Sequence, residues 1–213
     1  MRFQSQVLTD SEKEQIHNEA QRILNEAGVR YYSDKALKLL QSNGAEVDWE
    51  THIAYIPPEL VDRALQTSPA AFVLGARNPQ NDYPLPSPVS RYALDGTAAF
   101  AQDFQTGERR YGTFKDNENA LRIFQSMDMG VMAWPPVSAE DKPAHSRPLH
   151  EWSAMMKYCS RHGQHELHDA EQAPFLAEAL ITLFGSEDEV RLRHAYSLIY
   201  CPVSPLIHDG PMM

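Results

Sequence analysis

The sequence predicts an α/β protein: an N-terminal α+β region, then a region in which strands and helices alternate. Three observations carry this. Between Thr9 and Pro69, apolar residues recur at helical spacing in three stretches that bring their own start and stop signals. Between Ala70 and Thr113 the chain changes to short strand-like runs parted by turns rich in Asn, Pro and Gly. Beyond residue 126, short apolar runs alternate with helical stretches and end in Ala195–Leu206, AYSLIYCPVSPL. That last run is uncharged, β-branched and aromatic, and closes on a Pro-x-Ser-Pro turn, so a fully buried parallel strand is expected there. Its exit carries Ser204, His208 and Asp209, polar groups at the carboxyl end of a buried strand, where α/β proteins place ligands. A parallel strand normally hands over to a covering helix, and HDGPMM reads as the first turn of one; the sequence is expected to be the front part of a longer chain.

Taken in order, Thr9 and Glu12 form a capping-box pattern before a helix with Ile16, Ala20, Ile23, Leu24 and Ala27 on its apolar face and Gly28 as its terminator. Ser33 opens a second helix ending at Gly44, and the two are expected to form an αα-hairpin. Val47–Trp49 and Ile53–Ile56 flank a polar turn and suit two paired strands. Pro57-Pro58 starts a third helix that must end before Pro69. Residues 70–113 are expected to be an antiparallel patch, after which Asp116 caps a helix through Phe124. Then come a strand at Val131–Trp134, a helix around Leu149–Cys159, a short segment at Gln164–Leu167, a helix from Pro174 to Phe184 and the uncharged run.

The totals exclude several classes. A net charge of −10 argues against a nucleic-acid or anionic-membrane surface, which needs clustered Lys and Arg. The two cysteines, Cys159 and Cys201, stand far apart and outside any CxxC spacing, so neither a disulfide framework nor a structural zinc site is suggested, and cytoplasm is the default. No window reaches the roughly 18 apolar residues of a membrane span.

An ordered set of short matches runs along most of the chain: Leu8-Thr9-x-x-Glu12, Ile16-His17-x-x-Ala20-x-x-Ile23-Leu24-x-x-x-Gly28-Val29, Gly44-Ala45-x-Val47-Asp48 and Ile56-Pro57-Pro58-x-Leu60-Val61. Ser68-Pro69, Ala76-Arg77-Asn78-Pro79, Asp103-x-x-Thr106-Gly107-x-Arg109-Arg110 and Ser204-Pro205-Leu206 follow. In this order they resemble the trimethylamine methyltransferase family, whose members pass a methyl group from a methylated amine to the cobalt of a corrinoid protein. The resemblance implies an N-terminal cap, residues 1–125, leading into a (β/α)8 TIM barrel with its substrate at the C-terminal mouth. Residues 126–213 would then be its first strands and helices, because a closed barrel takes about 250 residues. It also implies a corrinoid (cobalamin) carried by a partner protein, with no cofactor bound directly. Pyrrolysine, where the family uses it, would lie beyond Met213.

Methylammonium groups are held by aromatic faces, because the ring quadrupole attracts a cation with few or no N–H groups. Trp134, ending the first barrel strand, and Tyr200, on the uncharged run, are placed for this role, with core packing as the alternative. His168, just past a strand's carboxyl end, is a candidate substrate contact, as are Ser204 and His208. The cluster His162-Gly-Gln-His165-Glu-Leu-His168 has ligand-type residues, but its H-E-x-H spacing does not bring two imidazoles onto one helix face. No metal is expected there, and a zinc-dependent hydrolase is only the third reading. Arg109-Arg110 could meet an acidic partner or a carboxylate, or be solvated. Methyl transfer is an in-line displacement with a neutral amine as leaving group, so no acid/base pair is required. The alternative function is a non-catalytic cap or interaction fragment. In either case the uncharged run, left as an open edge, predicts homo-oligomers or aggregates of the isolated chain.

Overall fold

A computed structural model describes residues 7–208, so Asp209 lies outside the described residues. The chain divides into two compact units, Met1–Pro69 with Cys201–Met213, and Ala70–Tyr200. The division therefore falls elsewhere than the cap–barrel boundary read near residue 126. The physical reason is the helix Phe114–Gln125, which packs along Arg147–Tyr158 and ties the residues before 126 to those after it.

Along the chain, the elements are α1 (Asp10–Glu26), β1 (Val29–Tyr31), α2 (Asp34–Ser42), β2 (Glu46–Asp48), β3 (Ile53–Tyr55) and α3 (Pro58–Thr67). Then follow β4 (Phe72–Leu74), β5 (Tyr83–Leu85), β6 (Tyr92–Ala93), β7 (Phe100–Gln102), β8 (Arg109–Tyr111) and α4 (Phe114–Gln125). The rest are β9 (Gly130–Ala133), α5 (Arg147–Tyr158), β10 (His162–His165), α6 (Ala173–Phe184), α7 (Glu187–Arg193), β11 (Tyr196–Leu198) and β12 (Ile207–His208).

In the first unit, both arms of the Thr9–Glu12 capping box form, and Gly28 takes the left-handed conformation (φ +70°) that ends α1. The expected αα-hairpin does not form. Val29–Tyr31 is a strand instead, paired antiparallel to β3 and parallel to β12, and the sheet order is β12-β1-β3-β2. The buried side of α1 also differs from the apolar face read in the sequence. Ile16, Ala20, Ile23 and Ala27 are exposed, and the buried residue is Gln21, whose amide donates to Asp62 at 2.7 Å on α3.

The second unit holds a parallel sheet, order β11-β10-β9-β6. β4–β5 and β7–β8 are antiparallel ribbons as expected of this stretch, but β6 leaves the patch to pair parallel with β9. These four strands make a mixed α/β fold with a parallel sheet and do not close a barrel. The core lies on one face of this sheet, where Leu121, Phe124, Ala133, Trp152, Ala154, Met155 and Leu176 pack with α4, α5 and α6. The helix α7, capped by Ser186, is an element the sequence reading passed over.

The uncharged run is corrected most. Its strand is only Tyr196–Leu198, and residues 201–206 are exposed. Pro202 and Pro205 have no N–H to give a ladder, and Val203–Ile207 instead folds into a turn closed by two backbone bonds of 2.7 and 3.0 Å. The long edge on which self-association was expected is three residues long.

The N-cap of α4 is Thr113, with Asp116 the reciprocal arm of its capping box and not the cap itself. Arg110 makes two bonds to the Asp116 carboxylate, at 2.7 and 2.9 Å, and these, with the Thr113 bonds, hold its pKa well below the usual carboxylate range. A carboxylate depressed on folding adds stability above its unfolded value of about 3.9, and that stability is lost as pH falls below it. Asp116→Asn is expected to lower stability by about 1 kcal/mol near neutral pH. It should also flatten the fall in stability below about pH 4, as read by urea titrations across pH.

On the helix side of the sheet, Glu151 and His165 form a pair that is 1% and 0% exposed, Oε2 to Nε2 2.8 Å. The other carboxylate oxygen accepts from Ala139 N at 2.7 Å. Glu151→Ala strands both partners in the core and is expected to cost about 3 kcal/mol in denaturant unfolding.

Candidate functional site

The parallel sheet has two faces, and its register separates them. A Cβ on Gly163 would stand 2.5 Å from the Tyr196 ring and 3.5 Å from the Met155 sulfur, so Gly163 and Tyr196 face the helices, as Ala133 and Leu94 do. Residues one position on face the other way. Gln164 pairs with Ser197. Continuing the pairing of His162 with Met132 and Gly163 with Ala133 by one residue sets Gln164 opposite Trp134. The carboxyl edge of the sheet thus carries one row on its helix-free face: Trp134, Gln164, Ser197.

The row below it is closed. His162 is 3% exposed, and its Nδ1 lies 2.8 Å from the Gly75 carbonyl oxygen, its Nε2 2.9 Å from Ser197 Oγ. A carbonyl only accepts, so Nδ1 carries the hydrogen and Nε2 accepts from the Ser197 hydroxyl. Burial pushes the His162 pKa down, against the raising effect of its backbone bonds, and keeps the ring neutral. Ser197 Oγ then accepts from Gln164 Nε2 at 3.0 Å. The direction of each bond is set by Gly75.

Trp134 follows β9 directly and is partly buried, with its indole N–H covered and unpartnered. A Cβ on Gly96 would fall 2.0 Å from its Cδ1 and Nε1, so only a glycine lets the chain after β6 cross this edge of the ring. Loop residues beyond Trp134 are pinned from the helices: Asn117 of α4 bonds the Val137 N–H and carbonyl, at 3.2 and 2.7 Å, while Glu151 holds Ala139.

His168 lies three residues past β10, in the loop at its carboxyl end. Its ring is half-exposed, with Nε2 3.3 Å from Glu166 Oε1. It lines a cavity of about 610 Å3 with His145, Ser146, Leu149 and Phe175. Gln172 ties the walls, accepting from His168 N at 3.0 Å and donating to the His145 carbonyl at 2.7 Å. His162 and His165 are on opposite faces of β10 and His168 is outside it, and among the described residues no three or more His, Cys, Asp or Glu group to hold a metal ion. Tyr200 is partly buried beyond β11 in the second unit. Ser204 and His208 belong to the first unit, Ser204 in the exposed turn and His208 stacked on Tyr31 with 4.6 Å between ring centroids. The register thus gathers Trp134 with two residues the sequence reading had not singled out: Gln164 and Ser197. The alternation of His-Gly-Gln-His was the one signal for Gln164. Ser197 depends on a pairing partner far along the chain.

No helix among the described residues is long and apolar enough to cross a membrane. The family profile described as trimethylamine methyltransferase (MTTB) matches residues 2–213. Trimethylamine methyltransferase MttB of Desulfitobacterium hafniense is 29% identical over 93% of this chain and 40% of its own length. Glycine betaine methyltransferase of the same species is 25% identical over 97% of this chain and 43% of its own. Trimethylamine methyltransferase MttB1 of Methanosarcina mazei is 26% identical, over 95% and 42%. The chain spans about two fifths of the length of the relatives it matches.

Gly96→Ala is expected to push the Trp134 indole out of place, at a cost of about 1–3 kcal/mol. A shifted tryptophan emission maximum together with a lower urea midpoint would report it, and an unchanged spectrum would contradict the packing described.

Proposed function

The chain belongs to the trimethylamine methyltransferase family, and we propose that it is part of a cytoplasmic enzyme that takes a methyl group from a methylated amine for delivery to a corrinoid protein. The substrate proposed is a small methylated ammonium ion, the class to which the trimethylamine and glycine betaine named in its relatives belong. The observation that carries this reading is the row at the carboxyl edge of the parallel sheet, where an indole stands in line with two polar groups. The Trp134 ring attracts the methylated cation. Gln164 and Ser197, fixed through His162 to a backbone carbonyl, give the cation one seat, which is the orientation that an in-line displacement needs. The leaving group is a neutral amine, so none of these residues has to supply a proton.

The corrinoid, carried by its partner protein, supplies the nucleophile that takes the methyl group. The row is one layer of side chains and suits a small cation, and none of its residues is assigned to the macrocycle. His168, at the rim of the neighbouring cavity, is proposed as a contact of the same mouth.

Full-length enzyme, corrinoid protein and a methylated amine are expected to change the cobalt absorption spectrum, and Trp134→Ala to slow that change by roughly 3- to 30-fold. No spectral change with any methylated amine would rule the activity out.

A further inference from the structure

The chain of bonds from Gly75 fixes which atoms the row offers a ligand. The Gly75 carbonyl takes the Nδ1 hydrogen of His162, His162 Nε2 takes the hydroxyl hydrogen of Ser197, and Ser197 can then only accept from Gln164. The amide of Gln164 is thereby oriented with Nε2 toward Ser197 and Oε1 away from it. Among the described residues Oε1 has no hydrogen-bond partner, and the side chain is half-buried. Ser197 has given its hydrogen to His162, and the indole N–H of Trp134 is covered against Gly96.

We propose that Gln164 Oε1 accepts the N–H of a protonated methylated amine, so that this row selects tertiary or less substituted methylammonium ions over quaternary ones. The inference rests on the reading that a methylated amine binds this row. A quaternary ammonium has no hydrogen for Oε1 and, on binding, strips water from an acceptor without replacing its bond. Trimethylammonium satisfies both: its methyl groups reach the ring of Trp134, and its single N–H reaches Gln164.

Trimethylammonium and tetramethylammonium differ in this one hydrogen, and the additional methyl group would favour the quaternary ion if the ring face alone decided. Titration calorimetry of both chlorides into the full-length protein near neutral pH is expected to show trimethylammonium binding about tenfold tighter or more. Gln164→Met, similar in length but without the acceptor, brings the ratio near one, whereas Gln164→Glu, which keeps an acceptor oxygen, preserves the preference. Equal affinities in the unmodified protein overturn the inference and leave the methylated-amine site standing. If neither cation binds, the reading beneath it fails as well. The comparison on unmodified protein needs no variant to fold.

Discussion

A single buried carboxylate holds the second unit's parts in place. Glu151 sits on α5 with 1% exposure, and burying it charged would cost several kcal/mol without partners. It has two: the Nε2 of His165 on the strand β10 and the N–H of Ala139 in the loop that follows β9. One side chain therefore spans helix, strand and loop, and fixes the strand-to-loop geometry from behind. Asn117, fully buried on α4, does the same to Val137 two residues earlier with a donor and an acceptor at once. Trp134 stands between β9 and these two anchors, so its position follows from groups on the opposite face of the sheet.

That division of labour between faces explains the composition of β10, His-Gly-Gln-His. Gly163 and His165 face α5, where Gly163 admits the Tyr196 ring and His165 meets Glu151. His162 and Gln164 face away, and one hydrogen-bond chain runs through both. Rows at the two levels differ in access. The lower is sealed by the Gly75 segment against His162, and the upper, with Trp134, Gln164 and Ser197 only partly buried, can meet a ligand. A rigid base below and an accessible layer above is what a preorganised binding site requires.

The helices were legible because their signals are local. Thr9 with Glu12, Pro58 at a first turn and Gly28 at a stop each act within four residues, and the structure keeps all three. The face of α1 was not legible, since Gln21 is drawn inward by an aspartate on α3 that no periodicity reveals. Composition misled at Ala195–Leu206, where absence of charge reads as burial while the strand covers only Tyr196–Leu198 and residues 201–206, two of them prolines without an N–H, are exposed. At the site, Trp134 could be picked from its position after a strand. Ser197 acquires meaning only through pairing, and parallel pairing joins residues separated by a crossover, so no local pattern marks it.

Family membership leaves open which amine is bound, because relatives of similar distance carry the names of trimethylamine and of glycine betaine methyltransferases. The indole face alone would favour the ion with the additional methyl group. What distinguishes the two is directional, an acceptor held at one orientation by donors and acceptors already committed below it. The amide of Gln164 is such a group, and its orientation is inherited from a backbone carbonyl that cannot reverse its role. Selectivity at this edge of the sheet thus traces to Gly75, a residue three hydrogen bonds away from the amide it orients.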